Sequence, residues 1–83
     1  MTTVNNEIKL KRLVSQILNI EETDIDDETS MANTLSWDSL KHMELIVAIE
    51  EDFKISRLTV VEIVSMTKIN VIKEVLKVKG ITF

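Results

Sequence analysis

Apolar side chains recur at Leu10, Leu13, Val14, Ile17 and Leu18. This i, i+3, i+4, i+7, i+8 spacing lines one face of an amphipathic helix. The pattern predicts a first helix over about residues 4–18, capped by Thr2 or Thr3 and ending near Asn19. From residue 19 to 37 the periodicity disappears. That stretch is acidic and polar, with Ile20, Ile25, Met31 and Leu35 as isolated apolar residues. It reads as a long ordered loop tacked onto the core by single side chains. Loops beyond about 12–15 residues are uncommon in compact domains and usually carry function or disorder.

A second helix is predicted after Asp38, a good cap, running to about Phe53. Leu40, Met43, Ile46, Val47, Ala48, Ile49 and Phe53 make it apolar around much of its circumference, as expected of a central helix. Lys54 to Leu58 reads as a connector. Thr59 and Glu62, three apart, form a capping box that opens a short helix over about residues 59–65. The last helix, about residues 68–78, turns Ile69, Ile72, Val75 and Leu76 inward, and Gly80 closes its C-terminal side. There is no internal repeat, low-complexity tract or sign of a second domain. The expectation is one domain over residues 1–83, an all-α four-helix bundle of three longer helices and one short one. A long loop separates helices one and two.

Composition narrows this further. One glycine, no proline and very few aromatics leave too few turn and strand residues for an all-β fold. A chain of 83 residues supports only a modest core. The absence of cysteine excludes disulfides and thiolate metal sites, and any thiol chemistry must come from a cofactor. The first residues show no secretory pattern, and no apolar stretch approaches the roughly 20 residues that span a bilayer. A soluble, cytoplasmic protein is expected.

Charge is unevenly spread. Residues 21–52 hold eleven of the fourteen acids against one base, Lys41, within a net charge of −4. An acidic middle repels nucleic acid and attracts basic protein surfaces.

Ser39 is the first chemical candidate. It follows Asp38 at the first turn of the central helix, where free N–H groups and the helix dipole favour an anion such as a phosphate. Asp-Ser also starts helices with no further role. A nucleophilic enzyme would enlist Asp38, Ser39 and His42, since Ser39 and His42 stand one turn apart. Asp38 is committed to the cap, however, and nothing glycine-rich offers an oxyanion hole. No catalytic residue is therefore assigned. His42, the only histidine, cannot alone make a zinc site and reads as a surface residue able to add positive charge beside a phosphate. The run Asp24-Ile25-Asp26-Asp27-Glu28 lacks the glycine of a calcium loop, and position twelve counted from Asp24 is Leu35. No metal site is assigned, although clustered carboxylates bind divalent cations weakly. Glu44, Glu50, Glu51 and Asp52 form a wet face on the central helix, and with Leu40 and Met43 they suit a docking surface.

These residues resemble a known family. Leu35-Ser36-Trp37-Asp38-Ser39-Leu40 resembles the Leu-Gly-x-Asp-Ser-Leu phosphopantetheine motif of acyl carrier proteins. Met43 to Phe53 is similar to their recognition helix, and Met66-Thr67-Lys68-Ile69 to the start of their last helix. The likeness spans roughly residues 5–78. It implies that Ser39 carries a 4'-phosphopantetheine arm through a phosphodiester, transferred from coenzyme A by a separate carrier-protein synthase (a phosphopantetheinyl transferase) with its own base and magnesium ion. The arm's thiol holds cargo as a thioester. The resemblance also implies that Asp38 helps present Ser39, and that Leu40, Met43, Glu44, Glu50 and Glu51 meet partner enzymes that load and process the cargo. Such a carrier is monomeric and catalyses nothing itself. Ser36 departs from the motif's glycine, Trp37 is unusual for fatty-acid carriers, and Lys41 and His42 dilute the acidity there. These departures point to a dedicated carrier of a specialised pathway in fatty-acid or polyketide biosynthesis. An aminoacyl or peptidyl carrier of the same fold, or an unmodified helical adaptor, remains an alternative.

Overall fold

The structure is a computed structural model that describes residues 5–83. Its helices are α1 (Asn6–Leu18), α2 (Ser39–Asp52), α3 (Val60–Ser65) and α4 (Ile69–Val78), with single 3-10 turns at Glu22–Asp24 and Met31–Asn33 between α1 and α2. This is the expected small all-α bundle. Thr2 and Thr3, the anticipated caps of α1, lie outside the described residues. Asn5 takes that role, its side chain accepting the Ile8 N–H at 3.1 Å.

The core joins three helices. Leu10, Val14 and Leu18 come from α1, Leu45, Ile46 and Ile49 from α2, and Ile69, Ile72 and Leu76 from α4. Removing such a side chain from water contributes about 1.5–3 kcal/mol each. Leu40, Met43 and Val47 do not join the core; they are 69%, 48% and 48% exposed. At 100° per residue, the turn that directs Leu45, Ile46 and Ile49 inward carries residues 40, 43 and 47 to the opposite face. The second helix is therefore amphipathic with an apolar outer stripe, and Leu45 belongs to its inner one.

Three helices end in the same way. Asn19, Lys54 and Gly80 adopt left-handed φ values of 56°, 52° and 97°. Each left-handed residue is followed by a backbone bond reaching five residues back: Ile20 N–H to Ser15, Ile55 N–H to Glu50 and Ile81 N–H to Leu76, at 3.2, 3.3 and 3.0 Å. These bonds satisfy carbonyls that the helices leave free.

The segment between α1 and α2 is ordered mainly by its backbone. Met31 N–H donates to Thr67, Ile69 N–H to Thr29 and Asn70 N–H to Asp27, at 2.9, 2.9 and 3.1 Å, docking the loop on the start of α4. Ile25 is buried, and Ile20 and Met31 pack partly against the core, as anticipated. Leu35 is not an anchor, since it is fully exposed. A turn in which Trp37 N–H reaches Thr34 at 3.0 Å sends Trp37 into the core instead, only 2% exposed. Buried Lys73 clamps the same loop from α4, donating to Asp27 at 2.7 Å and pairing with Glu7 of α1 at 3.1 Å.

Candidate functional site

The segment from Ser36 to Leu40 is built by three fixed points. Trp37 is buried, Asp38 caps α2, and Ser39 is the first helical residue. Asp38 has extended backbone, and its Oδ1 accepts the Lys41 N–H at 2.8 Å while its carbonyl accepts the His42 N–H at 2.8 Å. The Ser39 and Leu40 N–H groups are left without an acceptor among the described residues. Ser36 stands where a glycine was expected, yet it has no left-handed φ, so a serine fits without backbone strain. Its Oγ is buried without a hydrogen-bond partner among the described residues.

Ser39 is exposed. Its hydroxyl stands beside two free N–H groups at the positive end of a 14-residue helix. The neighbouring Asp38 carboxylate, which opposes an anion, is turned into the cap. The residues present therefore fit a phosphate ester on Ser39, with open solvent for whatever is attached beyond it.

His42 differs from its expected position. It is 6% exposed, not a surface residue. Its Nδ1 lies 3.1 Å from the Trp37 indole Nε1, and its Nε2 lies 2.8 Å from the Ile63 carbonyl oxygen. The indole can only donate and the carbonyl only accept, so the ring carries its proton on Nε2. Both nitrogens are thus engaged away from Ser39. His42 is therefore not placed as a base for Ser39, and its ring nitrogens do not point at a phosphate there. The sequence signal that pointed inward was the spacing of His42 with Leu45, Ile46 and Ile49 on one helix face.

The proposed partner residues divide. Leu40, Met43, Glu44 and Glu51 are exposed and line a shallow groove with Val47 and Ala48. Glu44 pairs with Lys41 at 3.6 Å. Glu50 is half-buried, its Oε2 accepting the Leu58 N–H at 2.8 Å, and so closes the connector to α3. Val60, Val61 and Val64 of α3 add exposed apolar surface that the sequence reading did not single out. Among the described residues, no cluster of three His, Asp or Glu side chains is able to hold a metal, and no helix is long and apolar enough to cross a membrane.

Residues 9–77 match the family described as a phosphopantetheine attachment site. The chain is also similar to an acyl carrier protein of Buchnera aphidicola subsp. Schizaphis graminum (strain Sg), with 49% identity over 51 residues. That alignment covers 61% of this chain and 65% of the relative, a little under two thirds of the relative's length. The chain thus belongs to the phosphopantetheine-binding family of the acyl carrier proteins, whose prosthetic group is covalently attached 4'-phosphopantetheine.

Proposed function

We propose that Ser39 is the attachment residue and that the chain is a carrier that presents acyl intermediates to partner enzymes. The observation that carries this reading is the exposed Ser39 hydroxyl beside unsatisfied N–H groups at the start of α2. Those groups and the helix dipole favour the negative charge of a phosphodiester formed there. When bound, 4'-phosphopantetheine supplies a thiol that holds an acyl group as a thioester. In attachment, Ser39 Oγ forms the new bond to phosphorus, the nucleotide half of coenzyme A leaves, and the hydroxyl proton passes to a base of the separate synthase. No base of this chain serves: His42 has both nitrogens engaged.

The partner face of this carrier is the outer stripe of α2. Leu40 and Met43 supply apolar contact and Glu44 and Glu51 supply charge, a combination suited to basic-rimmed enzyme surfaces. Asp38 serves through the cap. Glu50 belongs to the connector and supports the face from behind.

Intact-protein mass after incubation with coenzyme A, magnesium and a broad-specificity carrier synthase tests the assignment. The wild type is expected to gain one phosphopantetheine and Ser39→Ala none. Equal gain in both would move the attachment to another residue. A folded wild type left unmodified by two different synthases would favour the unmodified adaptor.

A further inference from the structure

The third helix is the least secured element. None of its six residues is buried, and Val60, Val61 and Val64 are 75%, 80% and 67% exposed. A helix this short does not persist without tertiary support. At its start, Thr59 and Glu62 satisfy one another's N–H groups at 2.8 and 3.1 Å, and Glu62 pairs with Lys79 at 3.0 Å. Ile63 packs partly on the core. Near its end, the Ile63 carbonyl accepts only a long i+3 bond from Met66 N–H, at 3.3 Å and shared with the Glu62 carbonyl, because the chain leaves the helix at Met66. His42 Nε2–H adds the shorter bond to that carbonyl, from α2 at 2.8 Å.

The other face of the same ring holds the approach to Ser39. Trp37 precedes Ser39 by two residues and His42 follows it by one turn. Their rings lie side by side, 6.1 Å between centroids and 29° from parallel, joined by the indole N–H bonded to Nδ1. One imidazole thus joins both flanks of Ser39 to α3. We propose that His42 is a positioning residue for the modification of Ser39, holding α3 in a single orientation beside the start of α2. This rests on the assignment of Ser39 as the attachment residue. His42 touches no reacting atom, so its loss affects how often the surface is correctly arranged rather than the transfer itself. Fewer correctly arranged molecules mean weaker apparent binding by the synthase.

Two substitutions divide the tie. The amide of His42→Asn falls near Nδ1 and still accepts from Trp37, but does not reach Ile63. The amide of His42→Gln falls near Nε2 and donates to Ile63 again. Three measurements follow: two-bond nitrogen–proton spectra of the wild-type imidazole, hydrogen exchange of the Val60–Ser65 amides, and synthase kinetics. The neutral ring of the wild type is expected to carry its proton on Nε2. His42→Asn should exchange its α3 amides about tenfold faster and raise the synthase KM about tenfold, with kcat within about twofold, as expected for one lost part-buried hydrogen bond. His42→Gln should return both towards the wild type.

A neutral ring protonated on Nδ1 overturns the proposal even if a variant does not fold. So does equal α3 exchange in the Asn and Gln variants, or faster exchange with unchanged KM. A folded wild type that two different synthases leave unmodified instead sinks the Ser39 assignment, and the positioning role falls with it. Modification of wild type and His42→Asn with the same KM sinks the positioning role alone.

Discussion

Asp38 does two things with one residue. Its carboxylate accepts the Lys41 N–H at 2.8 Å, satisfying one of the donors at the start of α2, and its extended backbone turns the chain from buried Trp37 to exposed Ser39. Replacing a capping aspartate with alanine costs about 1 kcal/mol. In a domain of this size that lowers Tm by about 4–8 °C, so Asp38→Ala should melt in that range below wild type by circular dichroism. Asp38→Asn, which keeps the accepting oxygen, should lose much less. Equal losses in the two variants would mean that charge, not capping, is what α2 requires. The cap was legible in the sequence because its chemistry is local. His42 was harder to read, since a histidine one turn from a serine suggests mutual contact. Its partners, the Trp37 indole and a carbonyl 21 residues away, are set by packing.

At the scale of elements, the four helices were legible from spacing and caps, and the capping box at Thr59 and Glu62 forms as the sequence suggested. The segment between α1 and α2 was legible only in part. Isolated apolar residues identified Ile25 as an anchor, but the backbone bonds to Thr67, Ile69 and Asn70 leave no mark in side-chain pattern. Neither does the burial of Lys73, a residue type rarely found inside unless paired. Its hydrogen bond holds the Asp27 carboxyl below the ordinary carboxylate range. Burial opposes the Lys73 charge, but hydrogen bonds to Asp27 and Glu7 outweigh it and raise the ammonium above its ordinary value. The consequences for pH follow by linkage. A lowered Asp27 contributes stability above its unfolded value, about 3.9, that is lost as pH falls through the folded one. A raised Lys73 contributes stability below about 10.4 that is lost as pH rises through its folded value. Wild-type Tm should therefore hold through neutral pH and drop below about pH 4, with Asp27→Asn starting lower and dropping less. Glu62, lowered by the Thr59 N–H and then by Lys79, adds to the acid-side loss in both proteins. Parallel acid-side slopes in wild type and Asp27→Asn would remove the clamp from the explanation.

Across the whole molecule, charge is divided by position. Of the eleven acids between residues 21 and 52, Glu22, Asp27, Glu28 and Glu44 have ion-pair partners among the described residues, and three of those partners, Arg12, Lys73 and Lys68, come from outside that stretch. The other seven acids have none. Salt acts on both groups. It weakens pairs such as Arg12–Glu22, at 3.9 Å and largely exposed, but exposed pairs contribute only about 0–1 kcal/mol each. It also screens repulsion among the seven unpaired acids over separations beyond about 10 Å at 0.1 M. The Lys73 contacts are less affected, because their ammonium is buried, although the Asp27 and Glu7 carboxylates stay exposed. Repulsion therefore outweighs pairing in a molecule of net charge −4. Tm should rise as sodium chloride is increased from low to moderate concentration, and should rise further with magnesium at equal ionic strength, because a divalent ion concentrates near clustered carboxylates. A flat or falling Tm across the sodium chloride titration would show that the cross-element pairs, not the unpaired acids, dominate the electrostatic balance of this carrier.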